Sequence, residues 1–138
     1  MKKLFLFLFI LSSGFAYSQT TLDEYAYMTK GYATMQSQGL GLKQGYTATD
    51  KGSYVIDYGS YKMTAQVLYL MRADNSYAGA IVIVENSKNG VKKYFCVPAK
   101  NSDMVIWNNT LTDVRTAFGA DKAGYEAVMY ALMHVTGM

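Results

Sequence analysis

Residues 77–97, YAGAIVIVENSKNGVKKYFCV, decide the fold class of this chain. The run Ala80–Val84 is apolar at every position, whereas a strand with one solvated face alternates apolar and polar residues. Asn89-Gly90 follows, a pair that favours the type I′ turn between two antiparallel strands. The sequence therefore predicts a hairpin of Tyr77–Glu85 with Val91–Val97 at the centre of an antiparallel sheet.

The apolar centre of this sheet needs a cover on both of its faces. Residues 68–71 of the preceding strand, LYLM, are also apolar on both sides. The cover could be two helices on opposite faces, a sheet that curls onto itself, or a partner molecule. We favour a cover from within the chain, because central strands of single domains usually show this pattern.

Turn residues divide the rest of the central region into further strands. Asp50-Lys51-Gly52 carries the residue types of a turn, and Gly59-Ser60 and Ala73–Ser76 mark two more breaks. Pro98 ends the last strand of the hairpin. The additional predicted strands are Tyr46–Thr49, Ser53–Tyr58, Tyr61–Arg72 and a short one at Met104–Trp107.

Helical patterns lie at both ends of the chain. Thr21-Leu22-Asp23-Glu24 is a capping box, and an apolar stripe recurs every three or four residues from Leu22 to Met35. Further helices are predicted from Thr110 to Gly119 and from Asp121 onward. The expected fold class is α+β: an antiparallel sheet of about five to six strands, flanked by an N-terminal helix and one or two C-terminal helices.

The first eighteen residues have the pattern of a secretory signal peptide. Lys2 and Lys3 precede an apolar run, Leu4–Leu11, and the small residues Ala16 and Ser18 suit a cleavage site. The run is too short to span a membrane. We therefore expect residues 1–18 to be a cleaved signal peptide, residues 19–138 to form a single α+β domain, and no membrane span to remain.

The same features predict the compartment. The leader is of bacterial type, and no cysteine lies near the cleavage site to accept a lipid anchor. We expect a periplasmic or secreted protein. Its one cysteine cannot form a disulfide within the chain.

Composition excludes several function classes. The chain is 51% hydrophobic and 17% charged, which argues against disorder. Loss of Lys2 and Lys3 lowers the formal net charge from +3 to +1. So small a charge gives little attraction to phosphates, and we expect no nucleic-acid partner.

The side chains offer little catalytic chemistry. His134 is the only histidine, Cys96 has no neighbouring ligand at metal spacing, and the carboxylates are scattered along the chain. A catalytic pair or a zinc site needs such groups together. We expect no enzyme, no catalytic residue, no cofactor and no metal site, with Cys96 and His134 as structural residues.

Tyrosine is the distinctive residue type, with thirteen in the chain. Its apolar ring and polar hydroxyl suit partly solvent-exposed surfaces and interfaces. Tyr54, Tyr58 and Tyr61 cluster in the first predicted strands, and Trp107 is the only tryptophan. These four are the candidate binding residues, although the tyrosines could instead cover the edge of the core.

These observations predict a small exported protein-binding module. An inhibitor, an immunity factor or an accessory subunit of an envelope assembly fits the description. The expected partner is another envelope or secreted protein, and a homo-oligomer is compatible with the sequence. The alternatives are a carrier of a small apolar ligand with a Met/Tyr-lined pocket and, less favoured, a small enzyme of an unfamiliar kind.

Overall fold

The structure is a computed structural model that describes residues 19–137; the predicted signal peptide lies outside the described residues. Residues 19–137 form a four-stranded antiparallel sheet with an N-terminal helix, made of two α-helical segments joined by a π-helical turn, before it and two helices after it, so the α+β class is confirmed. The strands are four, rather than five to six, in the order β1-β2-β3-β4. The elements are α1 (Leu22–Ala26), a π-helical turn (Tyr27–Gly31), α2 (Tyr32–Ser37), β1 (Tyr46–Asp57), β2 (Lys62–Arg72), β3 (Tyr77–Asn86), β4 (Lys92–Pro98), α3 (Met104–Phe118) and α4 (Lys122–Thr136).

The two strands predicted on either side of Asp50-Lys51-Gly52 are one strand, β1. Asp50 pairs with Leu68 and Ser53 with Gln66, so β1 has one extra residue, a β-bulge. The Asp50 carboxylate accepts the Gly52 N–H at 2.8 Å, and Gly52 has a φ of +102°. The turn chemistry is therefore present, but β2 continues alongside and the ladder resumes after the bulge.

Two other local expectations were wrong. The segment Met104–Trp107 is the first turn of α3 and not a strand, because the Asp103 carboxylate caps the helix by accepting the Ile106 N–H. Asn89 has no positive φ, which a type I′ turn needs at both central residues. The β3–β4 connection is accordingly the longer loop 87–91.

Both faces of the sheet are covered from within the chain. Ala80, Val82 and Val84 of β3 pack against α4 together with Val67 and Phe95. Ile81 and Cys96 face the opposite side, where the N-terminal helix packs. The two-sided apolar pattern of β3 therefore reflects two separate clusters, one on each face, while α3 lies along β4 and contributes to both.

A buried ion pair fixes the N-terminal helix to the sheet. Glu24 is 4% exposed, and its two carboxylate oxygens each accept a 2.7 Å hydrogen bond from the Arg72 guanidinium. The Thr21 N–H and the Tyr46 hydroxyl also donate to this carboxylate, both at 3.0 Å. Arg72 in turn donates to the carbonyl oxygen of Gln19. The first described residues are thus held at the edge of the sheet.

None of the helices among residues 19–137 is both long enough and apolar enough to cross a membrane.

Candidate functional site

Aromatic side chains meet along the seam between β1 and α4. Tyr54 of β1 stacks on His134 of α4, with ring centroids 4.5 Å apart and planes 15° from parallel. Tyr130 presents its edge to both rings, at 5.5 Å from Tyr54 and 4.5 Å from His134. These spacings are those of favourable aromatic pairs, so the three rings hold one another in place.

A second pair of rings continues the seam beyond the end of β1. Tyr58 and Tyr61 stack with centroids 5.2 Å apart and planes 18° from parallel. The Tyr58 hydroxyl donates to Glu126 Oε2 at 3.0 Å, which ties the pair to α4. Desolvation and this hydrogen bond raise the pKa of the Tyr58 phenol, which keeps it protonated as the donor. We call Tyr54, Tyr58, Tyr61, Tyr130 and His134 the aromatic strip.

The aromatic strip is anchored on one side and open on the other. Tyr54 and Tyr61 are half-buried and pack against the core cluster under α4. Tyr58 is 36% exposed and Tyr130 is 49% exposed, and His134 is exposed as well. The strip therefore presents ring surface to solvent from side chains whose conformations are already restricted, an arrangement that lowers the entropy cost of binding.

Trp107 is not part of this strip. It is only 8% exposed and lies in a cleft between α3 and α4, on the other side of α4. The cleft has a volume of about 270 Å³, and Asn101 is the polar residue among those that line it. Its apolar lining residues are Met104, Trp107, Leu111, Met129, Leu132 and Met133. We call this the α3–α4 cleft.

The structure thus divides the four residues predicted from the sequence into two places. Tyr54, Tyr58 and Tyr61 lie together on the seam, and Trp107 lies in the cleft. The sequence reasoning missed Tyr130 and assigned His134 only a structural role. Glu126, Tyr130 and His134 recur every four residues, and this spacing was the signal that could have grouped them on one side of α4.

Two methionines of the cleft are exposed to solvent. Met133 of α4 is 48% exposed. Met104 was placed in a strand, but it begins α3 and is 61% exposed. Exposed thioethers beside a buried tryptophan are unusual for simple core filling, because core residues are withdrawn from water.

Cys96 lies away from both places, in the middle of β4. The residue is fully buried, and burial raises the pKa of its thiol, so that the nucleophilic thiolate is disfavoured. Its carbonyl oxygen accepts a 2.7 Å hydrogen bond from Thr110 of α3. Among residues 19–137, no group of three or more His, Cys, Asp or Glu side chains is placed to hold a metal ion.

Comparison of the chain with protein-family models, with curated protein sequences and with solved structures returned no significant match. The functional conclusions below therefore depend on the residues of this chain alone.

Proposed function

We propose that this chain is an exported protein-binding module, and that its partner, another envelope or secreted protein, binds across the aromatic strip. The observation that carries the proposal is the strip itself. Its five rings come from β1, the β1–β2 connection and α4; one side of the strip packs on the core and the other side is exposed to solvent. Export rests on the leader sequence, which predicts the compartment in which a partner would be met.

The chemistry of the strip favours a protein partner. Tyrosine offers a large rigid contact area with few rotatable bonds, and its hydroxyl can exchange a water for a partner group. Interfaces are enriched in aromatic residues, and their strongest contacts are often made by tyrosine. Glu126, which accepts the Tyr58 hydroxyl, supplies a polar rim beside the strip.

Crosslinking at single positions tests this proposal. A photoreactive phenylalanine analogue at position 130 should crosslink to one discrete protein when the full chain is expressed in its native cells. The control carries the same analogue at position 55, because Val55 is 57% exposed on the opposite face of β1. Crosslinks of equal yield from both positions, or none from position 130, would contradict the proposal.

Affinity measurements with the captured protein provide the second test. Tyr58→Ala and Tyr130→Ala should each weaken binding by about 2 kcal/mol or more if they are hot-spot residues. Val55→Ala should leave the affinity unchanged. Thermal melts of the same variants must show that the folded fraction is equal, so that a loss of binding is not a loss of structure.

A further inference from the structure

The α3–α4 cleft has the chemistry of a site for an alkyl chain. Trp107 is nearly buried in the cleft, while Met104 and Met133 remain exposed at 61% and 48%. Methionine side chains are flexible and polarizable, so they adapt to a chain that itself has many conformations. Among its lining residues only Asn101 is polar, so an occupant there loses water without gaining many hydrogen bonds.

A second cleft, with basic lining residues, lies further along the same two helices. Leu111 and Met129 line the α3–α4 cleft, and Arg115 and Tyr125, one turn further on each helix, line a second cleft of about 380 Å³. Lys122 also lines this second cleft. The groove between α3 and α4 is therefore lined by apolar residues at one end and by Arg115 and Lys122 at the other.

The two cations at this end are available to an anion. Arg115 is exposed and forms no ion pair with any residue in the range 19–137. Lys122 is 89% exposed, and its ammonium lies 3.8 Å from Glu126, a contact of little energy at a surface. Two carboxylates lie nearby and keep their negative charge, since Glu126 accepts the Tyr58 hydroxyl and Asp121 accepts the Gly124 N–H, so Arg115 is the principal group for an anion.

We propose that the seam between α3 and α4 binds a single-chain carboxylate, with its alkyl chain in the α3–α4 cleft and its carboxylate at Arg115 and Lys122. Trp107 and Arg115 are two helical turns apart, about 12 Å along the axis, a distance that an alkyl chain of medium length spans. The charge at one end and the apolar walls at the other select an anionic amphiphile over a neutral one. This site is separate from the aromatic strip, and either proposal can fail without the other. The proposal specifies a binding site and a ligand class for the alternative function, a carrier of a small apolar ligand, that the sequence left open.

The fluorescence of Trp107 reports occupation directly, because it is the only tryptophan in the chain. We expect titration of the protein with dodecanoate, kept below its micelle concentration, to change the Trp107 emission in a saturable way with one site per chain. Dodecanol and dodecyltrimethylammonium have the same chain with a neutral and a cationic head. They should bind about tenfold more weakly or not at all, because charge-assisted contacts to the head are missing.

Variants separate the head site from the chain site. Arg115→Gln with Lys122→Gln should weaken dodecanoate about tenfold and leave dodecanol unchanged. Met133→Gln, at an exposed helix position, should weaken both ligands. The control, Lys30→Gln with Lys88→Gln, removes the same charge from the N-terminal helix and the β3–β4 loop and should have no effect.

Three results would overturn the proposal. The first is a Trp107 emission that does not respond to dodecanoate, and the second is equal affinity for the three head groups. The third is a concentration-dependent dimer that Met133→Gln dissociates, because a second copy of the chain would then cover the cleft. Folding of each variant is checked by its thermal melt before the titration.

Discussion

Replacement of Arg72 by methionine tests whether the buried ion pair is a main support of the fold. The side chain of Glu24 is 5% exposed and that of Arg72 is 16% exposed, so water can replace little of what the guanidinium supplies. Methionine retains an apolar stem of comparable length. The substitution therefore removes the charge and the hydrogen bonds more than the packing.

The expected cost follows from what remains around Glu24. Removal of one partner of a buried ion pair typically costs about 3–5 kcal/mol, because the other charge is left without compensation. In Arg72→Met the carboxylate still accepts the Thr21 N–H and the Tyr46 hydroxyl, so we expect the lower part of this range, about 3 kcal/mol. That is a large share of the stability of an ordinary domain, about 5–15 kcal/mol.

The cost should depend on pH. Burial raises the pKa of Glu24, but the hydrogen bonds from Arg72, Thr21 and Tyr46 outweigh it and hold the pKa below its ordinary value. A carboxyl with a lowered pKa stabilises the folded state above the unfolded pKa, about 4.3, and this contribution is lost as the pH falls through the folded pKa. The unfolded pKa is common to both proteins, and without Arg72 the buried Glu24 carboxyl takes up its proton at a higher pH in the folded variant than in the folded wild type. The difference in stability between the wild type and Arg72→Met should therefore shrink as the pH falls from neutral toward the folded wild-type pKa.

Urea denaturation followed by Trp107 fluorescence measures both effects. Arg115→Met is the matched control, since it makes the same change at an exposed arginine and should shift stability by no more than about 0.5 kcal/mol. The double variant Glu24→Gln with Arg72→Met should recover part of the loss, because no unpaired charge is then buried. An Arg72→Met cost equal to that of the control, or one that does not change with pH, would refute the reasoning.

Three further outcomes are expected. Tyr54→Ala removes a ring packed on the core and should lower the free energy of unfolding by about 3 kcal/mol in thermal melts. Tyr58→Ala should lower it by about 1 kcal/mol. Equal large losses would argue that the strip only covers the core. Gly79→Ala should cost about 3 kcal/mol or more in urea, since φ is +136° and the new Cβ would lie 2.6 Å from a carbonyl oxygen of β4. Gly52→Ala, with φ of +102° and open space, should cost only about 1 kcal/mol, and equal costs would contradict this difference. Cys96 should resist thiol reagents in the folded protein and react only in denaturant; rapid labelling of the native protein would show that the thiol is accessible.

The sequence itself determined those features that depend on neighbouring residues. The Thr21–Glu24 capping box forms as its spacing predicts, with the Glu24 N–H donating to the Thr21 hydroxyl at 3.1 Å. The unbroken apolar run in β3 correctly indicated a strand covered on both faces, since only burial on two sides removes the alternation of polar residues. The α+β class followed from helical periods at the ends and strand periods between them.

Only the tertiary structure decided where local signals were ambiguous. Asp50-Lys51-Gly52 has the same turn chemistry whether it joins two strands or forms a bulge within one, and the choice depends on β2, which lies beside it. Met104–Trp107 is a short apolar run that fits a strand or a helix equally well. Its position in α3 depends on the Asp103 cap and on packing against β4.

The candidate sites show the same division. Tyrosine content indicated that this residue type is important, but Tyr54 and His134 are eighty residues apart in the chain and meet only because α4 packs across β1. Trp107 was grouped with the tyrosines by composition, whereas the fold places it between α3 and α4 beside Met133. Residue types are written in the sequence, but which distant side chains share a surface depends on how the helices pack on the sheet, and that packing is a property of the whole chain.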